Sequence, residues 1–149
     1  VGGRVGGRVG DRVGDRVRDM VGDRVGNGVP PYRMNAWLGG RTLSPLHRDP
    51  YDGLLVQLIG RKEVRLVPPG AEGIYPCVRP QQNTSEVDAF APDLERYPRF
   101  EARLSEGREA SLEPGDALWV PKGWWHAVRA TSAASFSVSF WWPSRVSKR

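Results

Sequence analysis

The chain contains very little sulfur and no long apolar run. Its 149 residues include a single cysteine, Cys77, so neither an internal disulfide nor a cysteine-based zinc finger can form. The lone thiol fits a reducing compartment. No apolar stretch approaches the roughly 20 residues of a transmembrane helix, and the first residues, Val-Gly-Gly-Arg, do not resemble a secretory signal. We therefore expect no membrane partner and no disulfide-stapled miniprotein.

Blocks of like charge are also absent. The net charge is +5 and the isoelectric point is near 9.9, but no run of five or six like charges occurs. Residues 1–28 carry six arginines against four aspartates, and the rest of the chain is similarly mixed. A phosphate-binding stripe is therefore not evident, and nucleic acid is not an expected partner.

The first 28 residues form a four-residue repeat, VGGR VGGR VGDR VGDR VRDM VGDR VGNG. Valine at every fourth position matches neither strand alternation nor a helical stripe, and the glycines raise the entropic cost of ordering. We expect residues 1–31 to be a disordered low-complexity segment, with a short-period β-roll as the alternative. Val-Pro-Pro at 29–31 ends the pattern, so one folded domain is expected over residues 32–149.

The rest of the sequence has the pattern of an all-β protein. Short apolar runs alternate with turn residues such as Gly39-Gly40, which favours a sandwich or a barrel. Residues 68–108 are rich in proline and polar residues, and we expect an irregular insertion there with a helical segment at Asp93–Tyr97. The predicted strands are Tyr32–Leu38, Leu43–Arg48, Leu54–Ile59, Glu63–Val67, Ala110–Leu112, Ala117–Val120, His126–Ala130 and Phe136–Trp142.

The chain contains only two histidines, His47 and His126, and the first lies two residues before Asp49. Side chains at positions i and i+2 of a strand share a face, so His47 and Asp49 can approach one ion together. Two imidazoles and one carboxylate on one face of a metal are the ligand set of non-haem Fe(II) oxygenases. An isolated His-x-Asp is common in proteins, and an ordinary surface histidine is the alternative interpretation.

Two flanking features favour the metal site. From Leu112 to His126 the sequence LEPGDALWVPKGWWH predicts a turn, a strand and a tight loop that delivers the histidine inward. An oxygenase that uses 2-oxoglutarate also needs a cation for the distal carboxylate of that cosubstrate. Lys62, which lies 13 residues after Asp49 at the start of a strand, is the candidate. A solvated lysine at a strand end is the alternative.

Six separated blocks occur in the order found in one known family. They are NAWLG from Asn35, SPLHRDP from Ser44, LLVQLIGRK from Leu54, NTSEVD from Asn83, PDLE from Pro92 and SFSVSFWW from Ser135. Over about residues 33–142 this order resembles the Jumonji-C domain, and within that family its arginyl hydroxylase branch. The resemblance implies a double-stranded β-helix, which is a cupin-like jelly-roll of eight strands.

The resemblance also implies a cofactor and a cosubstrate. It makes His47, Asp49 and His126 the ligands of Fe(II), and it places Lys62 and Ser44 at the C5 carboxylate of 2-oxoglutarate. With O2, the bound Fe(II) and 2-oxoglutarate would hydroxylate a substrate C–H bond and release succinate and CO2.

Two tryptophans stand where the family lines its substrate pocket. A guanidinium between Trp37 and Trp141 would gain about 0.5–2 kcal/mol from each indole. The implied partner is a protein or peptide with an arginine target, in the nucleus or the cytoplasm. A core position is the alternative for either indole. Packing roles are assigned to Trp124, Trp125 and Trp142.

Two departures from the family lower the expected affinity for the cosubstrate. The family has an upstream strand whose tyrosine contacts 2-oxoglutarate, whereas the repeat precedes Tyr32 here. It also often has asparagine six residues after the first histidine, where this chain has Gly53. Each departure removes one hydrogen bond to 2-oxoglutarate, which contributes about 0.5–1.5 kcal/mol to its binding. A catalytically impaired relative that acts as a binding module is therefore one alternative function. A methyl-lysine demethylase, or an oxygenase acting on an RNA base, is another.

Overall fold

The computed structural model describes residues 31–78 and 82–143. The repeat, and the disorder expected for it, lie outside these ranges, so the boundary near residue 31 stays a prediction. Within the described ranges, no helix has the length and apolar character that crossing a bilayer requires.

The described residues form eight strands and one helix, and every predicted strand is present to within two residues at each end. They are β1 (Arg33–Gly39), β2 (Leu43–Arg48), β3 (Asp52–Ile59), β4 (Lys62–Val67), α1 (Phe100–Glu106), β5 (Arg108–Leu112), β6 (Ala117–Val120), β7 (Trp125–Ala130) and β8 (Ser135–Trp142). The first sheet has the order β1-β8-β3-β6 and the second β2-β7-β4-β5, with antiparallel pairing throughout. Two such sheets packed face to face confirm the expected jelly-roll.

Strand β8 shows how the sequence sets the two faces of the first sheet. Its serines at 135, 137 and 139 are buried between the sheets, whereas the intervening residues, Phe136, Val138 and Phe140, lie on the outer face and are less buried. Because side chains alternate along a strand, a Ser-x-Ser-x-Ser run gives one small, hydroxyl-bearing face. That face leaves space between the sheets.

Apolar residues fill part of the space between the sheets. They pack as a cluster to which both sheets contribute. The cluster consists of Val64, Leu66, Leu112 and Val120, with Leu55, Ala110, Leu118, Trp124 and Val128 packed against it.

The insertion covers the outer face of the second sheet. Ile74 and Phe100 are fully buried against Leu46 of β2 and Trp125 of β7. The indole Nε1 of Trp125 donates a hydrogen bond to the carbonyl of Gly70 at 2.7 Å. The packing role predicted for Trp125 is therefore confirmed, and its neighbour in the chain, His126, faces the other way, into the interior.

The helix of the insertion lies later in the chain than predicted. Asp93–Tyr97 forms only a turn, in which the Tyr97 amide donates to the Asp93 carbonyl at 2.8 Å. Pro98 follows, and it offers no amide hydrogen and disfavours helical dihedrals in the residue before it. The prediction at Asp93–Tyr97 was wrong for this reason, and the helix is Phe100–Glu106.

The outer face of the first sheet is apolar and only partly buried. Leu38 is 85% exposed, Met34 65% and Ile59 55%, while Leu54 and Trp142 form a small buried cluster beside them. The packing role predicted for Trp142 is confirmed by this cluster. The two sheets therefore differ: the insertion packs on the outer face of the second, whereas these side chains on the outer face of the first are largely exposed.

Candidate metal centre

The pairing of β2 with β7 places the two histidines side by side. His47 and His126 are direct partners in the register of these strands. Their ring centroids are 4.2 Å apart, with the ring planes inclined by 51°. Because the pairing is part of the sheet, backbone hydrogen bonds fix the distance between the imidazoles.

Asp49 completes a cluster of three groups that can each donate one ligand atom. It directly follows β2, and its Oδ2 lies 3.7 Å from Nε2 of His126. One nitrogen from each histidine and one oxygen of Asp49 all lie within 4.8 Å of one another. The structure thus brings together the three residues that the sequence placed in one site.

Both histidines are oriented by backbone carbonyls. Nδ1 of His47 is 2.7 Å from the Pro45 carbonyl, and Nδ1 of His126 is 3.2 Å from the Trp124 carbonyl. A carbonyl oxygen can only accept, so Nδ1 is the protonated nitrogen in each ring. Nε2 is then free to bind a metal, and such a partner on the second nitrogen is the usual support for a metal-binding histidine.

Burial governs the protonation of the cluster. It lowers the pKa of His126 to about 4, helped by nearby His47 and opposed by the hydrogen bond to the Trp124 carbonyl. Burial also raises the pKa of Asp49, against the opposite influence of His47. A divalent cation would favour the deprotonated form of both groups. A neutral His126 at neutral pH already has the form that metal binding needs.

The loop that carries Asp49 and the loop that precedes His126 are joined directly. The Gly123 amide donates to the Asp49 carbonyl at 3.1 Å, and the Lys122 amide donates to the buried carboxylate of Asp52 at 3.0 Å. Gly123 has a φ of +80°, a conformation that glycine adopts without steric cost. The loop before His126 is therefore held against the loop that follows Asp49.

A β-bulge explains why Ser44 and His47 face the same cavity. The register of β2 against β7 shifts by one residue between Ser44 and His47. Residues three apart on a regular strand point to opposite faces, and one extra residue brings them to the same face. Pro45 lies within the bulge, where its missing amide hydrogen breaks no regular pair.

A cavity of about 360 Å³ lies between the sheets. Its lining includes every residue that the sequence placed in the site, together with residues that it did not. The predicted ones are Trp37, Ser44, His47, Asp49, Lys62, His126 and Trp141. Gly53, where the family often has asparagine, also lines this cavity.

Lys62 supplies a buried positive charge to the cavity. Its ammonium donates a hydrogen bond to Ser137, which is completely buried. Burial lowers the pKa of Lys62, and none of the carboxylates in the described residues forms an ion pair with it. A buried cation with a neutral partner can accept an anionic ligand, because such a ligand offsets the cost of burying the charge.

Sequence reasoning missed several residues that line or support the cavity, three of which hold or contact predicted site residues. Ser137 holds Lys62, and Ser139 accepts a hydrogen bond from the Trp37 indole at 2.9 Å. Tyr51 lines the cavity and stacks on Trp141, with ring centroids 5.8 Å apart. The alternating serines of β8 were the sequence signal for Ser137 and Ser139. Nothing in the sequence around Tyr51 distinguishes it from a loop tyrosine.

The donor set fits a first-row divalent metal such as Fe(II). Two imidazole nitrogens and one carboxylate oxygen on one side of an ion leave its other positions open for further ligands. The cavity beside these atoms supplies the space, and Lys62 supplies a cation near it. A structural zinc site would instead surround the ion with four protein ligands.

A jelly-roll whose two sheets enclose a His-Asp-His centre is the architecture of a cupin-type metalloprotein. The family described as cupin-like domain matches residues 14–148. The chain belongs to this family and is a Jumonji-C domain within it.

The similar proteins are much longer than this chain. Lysine-specific demethylase 8 of Xenopus tropicalis is 44% identical over 112 residues, which cover 73% of this chain and 25% of that protein. Lysine-specific demethylase 8 of Danio rerio is 45% identical over a segment that covers 73% of this chain and 27% of that protein. Lysine-specific demethylase JMJ30 of Arabidopsis thaliana is 39% identical over a segment that covers 73% of this chain and 25% of that protein. The chain thus spans about a quarter of the length of these relatives.

Among solved structures, the X-ray structure of E. coli ycfD aligns with 88% of this chain and 31% of its own. The alignment has a TM-score of 0.49 and 22% sequence identity.

Proposed function

We propose that this domain is an Fe(II)- and 2-oxoglutarate-dependent oxygenase that hydroxylates an arginine side chain of a protein. The observation that carries the proposal is the convergence of His47, Asp49 and His126 on one cavity that also contains the buried ammonium of Lys62. Membership of the Jumonji-C family supports the same chemistry.

In this proposal each part of the cavity has one task. His47, Asp49 and His126 hold the ferrous ion, while Lys62 and Ser44 bind the distal carboxylate of 2-oxoglutarate. Fe(II), 2-oxoglutarate and O2, when bound there, would supply the oxidising power for C–H hydroxylation, with succinate and CO2 as coproducts. The sheets keep the reacting groups in place and shield them in part from water.

The target side chain enters between the indoles of Trp37 and Trp141. Both line the cavity, and the Trp37 ring is held by its hydrogen bond to Ser139. Each indole face attracts a guanidinium by about 0.5–2 kcal/mol, depending on how far water is excluded. That attraction orients the side chain so that one of its methylene groups faces the metal centre. A nuclear or cytoplasmic protein is the partner that this proposal implies.

Demethylation of methyl-lysine is the second candidate. The observation that favours it is that several relatives are named lysine-specific demethylases. It uses the same centre, because hydroxylation of an N-methyl group gives an unstable product that releases formaldehyde. A methylammonium also binds to aromatic faces.

Turnover with two peptides separates these functions. Protein loaded anaerobically with Fe(II) is given 2-oxoglutarate, O2 and either an arginine peptide or a trimethyl-lysine peptide of the same sequence. The proposal predicts succinate together with one added oxygen atom on the arginine peptide by mass spectrometry. Formaldehyde from the lysine peptide, without oxidation of arginine, would establish demethylation instead. Peptide binding with no turnover of either would support the binding-module alternative.

Gly53→Asn is expected to strengthen cosubstrate binding. A Cβ added at Gly53 meets its nearest atoms, in the Trp141 ring, at 3.4 Å, which is an ordinary contact distance. The added amide restores one hydrogen-bonding group to the cavity wall, so the KM for 2-oxoglutarate should fall by about 2- to 10-fold. Gly53→Leu adds comparable bulk without the amide and is the control. Equal KM values for the two variants would contradict the prediction.

A further inference from the structure

Three aromatic rings form a continuous stack at the mouth of the cavity. Tyr32 and Tyr51 have ring centroids 5.2 Å apart at 29°, and Tyr51 and Trp141 follow at 5.8 Å and 19°. Tyr51 and Trp141 line the cavity, whereas Tyr32 is not part of its lining and is 59% exposed. This mouth stack, Tyr32-Tyr51-Trp141, therefore leads from the cavity to the surface.

The guanidinium of Arg33 lies on both outer rings of the mouth stack. Its Cζ is 5.8 Å from the Tyr32 centroid and 5.9 Å from the Trp141 centroid. Both distances are within the range over which a cation is attracted to a ring face. Within residues 31–78 and 82–143, Arg33 forms no ion pair with a carboxylate. Its described contacts at this place are thus the rings themselves.

We propose that the mouth stack is a second cation site, which takes an arginine side chain that flanks the target residue in the substrate, and that Arg33 competes for it. The proposal rests on the proposed function for the identity of the substrate. It concerns a different side chain from the target, which enters between Trp37 and Trp141.

The spacing of the rings sets where the flanking arginine lies. The two ring spacings of 5.2 and 5.8 Å set an upper limit on the distance from Trp141 to Tyr32, and the position of Arg33 over both outer rings shows that the stack is bent and this distance shorter. An extended peptide advances about 3.3–3.6 Å per residue. A peptide with its target in the cavity therefore brings a residue two or three positions away over Tyr32. An arginine there meets the ring faces that Arg33 covers.

The competition predicts an unusual effect of removing a surface arginine. Binding is measured calorimetrically without O2, using peptides that carry either arginine or glutamine at the second and third residues to each side of a central arginine. We expect Arg33→Gln to increase the preference for the arginine-flanked peptide by about 2- to 5-fold, which is the strength of one exposed cation–π contact.

Arg41→Gln is the matched control. Arg41 lies in the exposed turn between β1 and β2, and its guanidinium forms no cation–π contact with an aromatic ring of the described residues. Both variants lose one positive charge, so the general attraction of the protein for a basic peptide changes equally. An equal preference in the two variants would overturn the proposal.

The middle ring gives an independent test. Tyr51→Ala interrupts the mouth stack and should abolish the preference for the arginine-flanked peptide, while Tyr51→Phe retains the ring and the preference. A preference that survives Tyr51→Ala would contradict the site. If arginine oxidation fails but the Arg33→Gln difference is seen, the cation site stands and the proposed reaction falls. Oxidation without that difference overturns the cation site and leaves the proposed reaction standing.

Discussion

Asp49→Ala is expected to abolish metal binding and to lower turnover at least about a thousand-fold, or about 4 kcal/mol of transition-state stabilisation. Residues that only orient a metal ligand typically change metal affinity by about 10- to 100-fold, and loss of the ligand itself exceeds this. Calorimetry with Fe(II) or Co(II) checks the expected loss of metal binding. Succinate formation checks the expected loss of turnover. His47→Ala or His126→Ala should give the same loss, and combining them should add little because the three residues act as a unit.

A loss of fold is distinguished from a loss of the site by the stability of the metal-free protein. Burial raises the pKa of Asp49, so the fold disfavours its charge at neutral pH and alanine does not destabilise it. We expect an unchanged or higher melting temperature after treatment with a chelator. Asp88→Ala, in the exposed part of the insertion, is the control and should leave metal affinity intact. Undiminished turnover by Asp49→Ala would refute the metal site.

The second large effect is expected for Lys62→Met. This change removes the buried cation of the cavity, and a hydrogen bond to a charged group contributes about 1.5–3 kcal/mol. The KM for 2-oxoglutarate should therefore rise by about 10- to 150-fold. Metal affinity measured without 2-oxoglutarate should stay the same, because Lys62 is not among the three ligand residues.

The fold itself should tolerate Lys62→Met. Burial lowers the pKa of Lys62, which means that the native state disfavours the ammonium, and methionine is a neutral chain of similar length. Lys122→Met is the control, since Lys122 is exposed in the loop before His126. An unchanged KM for 2-oxoglutarate in the Lys62 variant would show that the cosubstrate binds elsewhere.

The strands could be predicted because their signals are local. Alternation of polar and apolar residues and the glycine turns require no knowledge of distant contacts, so all eight strands appear close to their expected bounds. The helix predicted at Asp93–Tyr97 was wrong because Pro98 disfavours helical dihedrals in Tyr97 and has no amide hydrogen to donate. The insertion is stabilised by packing on Trp125, about 25–50 residues further along the chain, and short-range patterns do not report such contacts.

The centre of the site was predictable because its residue types are scarce. With two histidines in the chain, few combinations exist, and the His-x-Asp spacing selects the carboxylate. Ser44 and Trp141 were placed by resemblance alone, and the bulge in β2 now gives the physical reason for Ser44. The contact between Lys62 and Ser137, which are 75 residues apart, depends on the order of strands in two sheets. The position of Tyr51 depends on how the loop between β2 and β3 folds beside β8.

The pairing of β2 with β7 divides the centre into a stiff part and an adjustable part. The interval between the imidazoles belongs to the sheet, so changing it would require rebuilding the sandwich. The carboxylate of Asp49 lies on the short connection between β2 and β3, which is held by hydrogen bonds from the amides of Gly123 and Lys122. Retuning the preference for one metal over another, by evolution or in the laboratory, is therefore easiest in residues 49–51, where a change in the connection between β2 and β3 moves the carboxylate and leaves the two imidazoles in place.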